Sequence, residues 1–164
     1  MKLVITLALF ASILAIASAA PATIAMYRIE GKDAENAAAM TPERIKAEGK
    51  AEWSFTSELP IGPAVSHQFV SPDLKVNVSV QAAQTRSKTG ALLVAVKFDE
   101  ERLQKQSTGN VPDKAQAQLK SFVNPGQSVI VGSHAIAATT DGGGKALTAS
   151  SATYCLLTLG ESKL

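Results

Sequence analysis

Residues Leu74 to Gln81 alternate without a fault, with Leu74, Val76, Val78 and Val80 set against Lys75, Asn77, Ser79 and Gln81. Successive side chains on a strand point to opposite faces, so this run has one apolar face and one polar face. A strand of that kind cannot stand alone, because its apolar face must be covered by a second layer. The same period returns elsewhere. Trp53, Phe55 and Leu59 alternate with Glu52, Ser54, Thr56 and Glu58; Val65, His67 and Phe69 share a face; so do Leu92, Val94, Val96 and Phe98.

Turn chemistry separates these runs. Pro60-Ile61-Gly62-Pro63, Ser71-Pro72-Asp73, Arg86-Ser87-Lys88-Thr89-Gly90 and Asp141-Gly142-Gly143-Gly144 all break the pattern. Asn124-Pro125-Gly126-Gln127 has the type II signature, with Pro presetting the second position and Gly supplying positive φ at the third. Further strands are expected over Thr23–Ile29, Ala117–Val123, Ser128–Ala138 and Lys145–Leu159, the last bent near Ser150-Ser151. Thr41-Pro42-Glu43 reads as an N-cap, a Pro at the first helical position and an acid in the first turn, opening a short helix to about Ala47 that stops at Gly49. Asp99–Gln106 reads as a turn or two of helix, and Ser107–Lys114 as a loop. The pattern predicts a mainly β domain of about six to eight short, mostly antiparallel strands, a sandwich or small barrel with a short N-terminal helix.

Met1–Ala19 has the three parts of a secretory signal: Lys2, an apolar run from Leu3 to Ile16 broken only by Thr6 and Ser12, and the small residues Ala17-Ser18-Ala19. Cleavage is expected between Ala19 and Ala20. No Cys stands at the end of the apolar run, so no lipoprotein attachment site is expected; no later stretch reaches membrane-spanning length, so no transmembrane segment is expected in the mature chain. Residues 20–49 then form an N-terminal segment with the short helix, and residues 50–164 a β-domain, together the size of one domain. The 16 basic and 14 acidic residues give a net charge of +2 and are spread along the chain. That spread argues against a nucleic-acid footprint, which clusters its basic residues. Cys155 is the sole cysteine, so no disulfide forms within the chain; its apolar neighbours Tyr154, Leu156 and Leu157 suit a buried thiol.

The candidates for chemistry are few. His67 lies on the face of Val65 and Phe69, and His134 on the face of Ile130 and Ile136. Each follows a serine, Ser66 or Ser133, that points to the opposite face, so neither pair forms a nucleophile–base couple on its own strand. Two histidines supply half of a usual zinc shell. Both read as strand residues with local hydrogen bonds. Asp99-Glu100-Glu101, ending in Arg102, reads as a solvated acidic run rather than a calcium loop. Gly142-Gly143-Gly144-Lys145 leads into a strand, not into the helix that a phosphate-binding loop needs. Asn77-Val78-Ser79 matches a glycosylation sequon, but a regular strand is a poor acceptor. No catalytic, cofactor-binding or metal-ligating residue is expected. The first reading is therefore an exported, non-enzymatic β-domain, periplasmic or secreted, with a binding or structural role in the cell envelope or periplasm and an envelope or extracellular protein as its partner. The second is an enzyme inhibitor or small-ligand carrier on a β-barrel, and the third a hydrolase with a dispersed site.

The segment Val123-Asn124-Pro125-Gly126-Gln127-Ser128-Val129-Ile130-Val131-Gly132 resembles one element of the bacterial secretins, a Pro-Gly-Gln-Ser/Thr turn followed by an apolar strand and a glycine pair. The alternating runs from Leu74 and from Leu92 are similar to strands that precede it. The resemblance covers about a third of the mature chain, and Ser133 stands where the second glycine would be. It implies an exported bacterial β-domain related to envelope assemblies, and it transfers no functional residue.

Overall fold

A computed structural model of the chain describes residues 20–31, 40–84, 90–106 and 108–161. The expected signal peptide, the cleavage residue Ala19 and most of the polar loop at 85–89 lie outside the described residues. Ala20 is the first residue of strand β1.

Eight strands form two four-stranded antiparallel sheets. The first sheet has the order β2 (Lys50–Leu59), β1 (Ala20–Glu30), β10 (Ser151–Leu159), β7 (Ser128–Ile136). The second has the order β3 (Ala64–Ser71), β4 (Leu74–Gln84), β5 (Leu92–Gln106), β6 (Gly109–Val123). Two short strands, β8 (Thr139–Thr140) and β9 (Ala146–Thr148), make a separate hairpin. The sheets face one another as a β-sandwich. Ile24 and Met26 of β1 and Cys155, Leu157 and Leu159 of β10 pack in one apolar cluster with Val76, Val78, Val80, Val94, Val96 and Phe98 of the other sheet. The alternation read from Leu74 to Val80 thus points its valines inward. β1 lies at the centre of the first sheet, so residues 20–30 belong to the same sandwich as the strands after residue 50.

Helix α1 (Pro42–Glu48) covers the outer face of the first sheet. Thr41 Oγ1 accepts from the Arg44 amide, as its N-cap position requires. Ile45, fully buried, packs with Met40, Ile29, Ala152, Tyr154 and Leu156. The turn at Asn124–Gln127 has the expected geometry: Gly126 has φ 79°, and the Gln127 amide donates to the Asn124 carbonyl. Among the described residues no helix is long and apolar enough to cross a membrane.

The structure corrects four expectations about the strands. Asp99–Gln106 is not helical but continues β5, and most of Ser107–Lys114 is not a loop but belongs to β6. The two strands form a hairpin of 15 residues each, paired from Leu92↔Val123 to Gln106↔Gly109. Past Phe98 both faces of β5 are polar, so hydrophobic periodicity loses the strand although the ladder continues. The final run is two strands in different sheets, β9 and β10, separated at Ala149-Ser150. Lastly, Ile130 does not share the His134 face. A bulge in β7 opposes Gly132 to Cys155 and Ile130 to Leu156, which leaves Val131 unopposed and turns Ile130 toward the helix-covered side.

Candidate functional site

Along β5 the apolar side chains of the core stop at Phe98, and a chain of charged groups continues between the sheets beside the buried Val76 and Leu74 of β4. On β5, Glu100, Arg102 and Gln104 follow Phe98 on the inward face. Glu100 is 2% and Arg102 8% exposed. The partner on the facing sheet is supplied by a second bulge. Met26 opposes Trp53 and Tyr27 opposes Ala51, so Glu52 has no opposite residue and turns inward beside Trp53. Arg102 grips it with both terminal nitrogens, Nη1 at 3.2 Å from Oε1 and Nη2 at 2.6 Å from Oε2. Its Nε donates to Glu100 Oε1 at 3.0 Å. The other Glu100 oxygen accepts from the Thr153 hydroxyl of β10 at 2.8 Å. His134 of β7 completes the chain, with Nδ1 3.6 Å from Glu100 Oε2 and Nε2 3.0 Å from Asp113 Oδ2 on β6. Gln104 also donates to Asp113 Oδ2. Arg28 extends the chain outward toward Glu52 and Glu30.

These groups hold one another's charge. Burial pushes the Glu100 carboxyl up, but His134, the Arg102 charge and the Thr153 hydroxyl outweigh it and hold Glu100 below the usual carboxylate value. Contact with Glu100 raises His134 above the usual imidazole value, with Asp113 adding to it and burial opposing it. Burial lowers Arg102, while Glu52 and then Glu100 raise it to a net upward shift. Every formal charge here faces its opposite, which is the condition for keeping ions between two sheets.

Beside this chain an open cleft of about 750 Å³ is lined by Arg28, Glu30, Lys50, Glu52, Arg102 and Lys105, among others. Its charges are mixed in sign and its ion pairs face one another. At the opposite seam, between β2 and β3, the side chains are aromatic. Phe55 and the His67 ring lie 3.7 Å apart between centroids, Trp53 lies 5.1 Å from Phe55, and Trp53 lies 5.9 Å from Phe69. His67 Nε2 is buried with no hydrogen-bond partner. The apolar cavity under this seam is about 10 Å³, far below the roughly 300 Å³ at which small-ligand sites begin.

The histidines therefore differ from the local hydrogen bonding expected of them. His134 meets acids from two strands of the other sheet, and His67 stacks. Ser133 is exposed while His134 is buried, so the two do point apart. Among the described residues no group of three His, Cys, Asp or Glu side chains is placed to hold a metal ion. Cys155 is fully buried, and burial pushes its thiol up to about 12. Glu100, Arg102, Glu52 and Asp113 were not legible as a set. The available signal was the period-two spacing of Glu100, Arg102 and Gln104, in phase with Leu92 to Phe98.

The sheet edges also differ. β2 carries Lys50, Glu52 and Glu58, and β6 carries Pro112, Asp113, Lys114 and Lys120. β7 is bulged and lies against β6, where Gly132 sits close to Ala117. β3, with the sequence AVSHQFVS, has neither an acidic, lysine or arginine residue nor a proline, and pairs only with β4. Its Val70 is 64% exposed.

No family model and no curated protein matches the chain. Among solved structures it is similar to the InvG secretin domain β-barrel from the Salmonella SPI-1 injectisome NC-base, at 8% identity and a TM-score of 0.40. The match covers 88% of this chain and spans 60% of that one. At that level the likeness is a weak one of fold.

Proposed function

We propose that this chain is an exported, non-enzymatic β-sandwich domain that binds an extended segment of another envelope or extracellular protein along β3. The observation that carries the reading is the character of that edge. Natural sheets protect their edges with charge, proline, bulges or cover. β2, β6 and β7 each have at least one of these, whereas β3 has an unbroken run of uncharged and imidazole side chains. An added strand would take its main-chain hydrogen bonds from β3, and its alternate side chains would fall on the face of Val65, His67 and Phe69. The fitting occupant is an uncharged segment with apolar residues at every second position. The leader-like sequence at Met1–Ala19 supports export. The interlocked charges of Glu52, Arg102, Glu100 and His134 support a structural rather than a catalytic use of the buried ionisable groups. The small volume of the apolar cavity speaks against a ligand carrier.

The test is site-specific photocrosslinking in the cells that export the protein. A crosslinker at Gln68 or Val70 should give one discrete adduct, and a crosslinker at Gln118 on the β6 edge should not. Val70→Lys should abolish the adduct formed from position 68. Equal adducts from both edges, or none from β3, would remove the reading.

A further inference from the structure

His134 stands between two carboxylates on two different strands. Nδ1 faces Glu100 of β5 at 3.6 Å, and Nε2 faces Asp113 of β6 at 3.0 Å. Neutral imidazole has one N–H and one lone pair. Whichever nitrogen holds the proton, the other turns a lone pair toward a carboxylate oxygen. Only the imidazolium is a donor at both nitrogens; Nδ1 makes no hydrogen bond at 3.6 Å, so its tie to Glu100 is an ion pair that exists only while the ring is charged. The ring belongs to β7 of the first sheet and both acids belong to the second, so this arrangement joins the sheets at the end where the apolar side chains of β5 have run out.

We propose that His134 is a proton-operated latch between the two sheets: charged, it ties β7 to β5 and β6, and loss of the ring proton releases that tie. The surrounding groups fit the role. From β5, Glu100 is held by Arg102 and so stays anionic whether or not the ring is charged. From β6, Asp113 also accepts from Gln104, which fixes its carboxylate in place. From β10, Thr153 presents a hydroxyl to Glu100 rather than a charge. Among these neighbours no cation faces the ring, so nothing would replace its charge once lost. Solvent reaches the latch through Asp113, whose side chain is 37% exposed. Deprotonation leaves Glu100 and Asp113 with a neutral group between them, and the β6–β7 seam is the place that yields. Above the latch, Gly132 lies close to Ala117 and Phe98. The opening is therefore confined to the polar end, while the valine-rich core stays closed.

Proton NMR tests the latch directly, because the chain has only two histidines. His134→Gln assigns the ring signals. In the wild type, the His134 ring should titrate with a midpoint above 6.5. Amides of β7 around His134 and of β6 around Asp113 should lose exchange protection through that same midpoint, after correction for the intrinsic rate at each pH. Amides of β4 should keep theirs. In His134→Gln the step should vanish. A midpoint at or below 6.5, or a protection step that coincides with no histidine titration, overturns the proposal. Should the variant fail to fold, the wild-type amides decide the matter alone, since the titrating ring is then identified by its contacts to β7 and β10 protons.

Discussion

The Val78 side chain is 1% exposed and packs among Val76, Val80, Val96 and Phe98, whereas Ser79 looks outward and accepts from the Ser66 hydroxyl. A carboxylate at position 78 would be buried unpaired among valines or would open the sheet. Val78→Asp should cost about 3 kcal/mol or more. Ser79→Asp loses one exposed hydrogen bond and lies opposite Lys97, so it should cost under about 1 kcal/mol. Urea midpoints of the two variants check the contrast, and similar values would contradict it. Cys155 gives a second check on the interior. A buried thiol pushed up to about 12 should label slowly in the native protein and fast in urea. Equal rates would place the sulfur at the surface. Val78 was legible in the sequence from its spacing, and Cys155 from its apolar neighbours Tyr154, Leu156 and Leu157. Glu100 and Arg102 were not, because burial of a charge depends on a partner across the sandwich, and nothing in the local sequence identifies Glu52 or His134 as that partner.

A strand is legible in the sequence where one face alone is apolar; it is lost where neither face is, and its limits are lost in the final run, where β10 is buried on both faces. β4 and the first half of β5 carry their period in valine and leucine. The second half of β5 and the first half of β6 carry it in charged and polar residues, so their sequence reads as helix and loop. The helix at Pro42 was legible because its signal is chemical and local: Thr41, Pro42, Glu43 and Gly49 each occupy a position that suits them. Bulges were not legible. The one in β7 moved Ile130 off the His134 face, and the one in β1 and β2 brought Glu52 into the interior. The bulge in β7 also sets Gly132 against the facing sheet. A Cβ built there would lie 2.6 Å from the Ala117 Cβ and 3.2 Å from the Phe98 ring. Gly132→Ala must push β6 from β7, at about 1–3 kcal/mol. Thermal unfolding checks this, and Ala117→Gly should restore part of the loss. An alanine tolerated at 132 without cost would show that the two strands are not in close contact.

The molecule holds its sheets together in two ways. Toward the Asn124–Gln127 turn they are joined by apolar burial, which changes little with pH. Toward the tip of the β5–β6 hairpin they are joined by ions, which respond to it. The consequence has two limbs. Glu100 is held below the usual carboxylate value, so its stabilisation is complete above about 4.5 and is lost as pH falls through its lowered folded value. His134 is held above the usual imidazole value, so its stabilisation is complete below about 6.5 and is lost as pH rises through its raised folded value. The measurement that tests the two-part architecture most directly is the urea midpoint of the wild-type protein across pH, with His134→Gln beside it. The wild-type midpoint should be highest between about 4.5 and 6.5 and fall on both sides, and the variant should lose the alkaline fall while keeping the acid one. A wild-type midpoint that is flat from mildly acidic to alkaline pH, or an alkaline fall that persists in His134→Gln, would contradict an ion chain closed by that histidine.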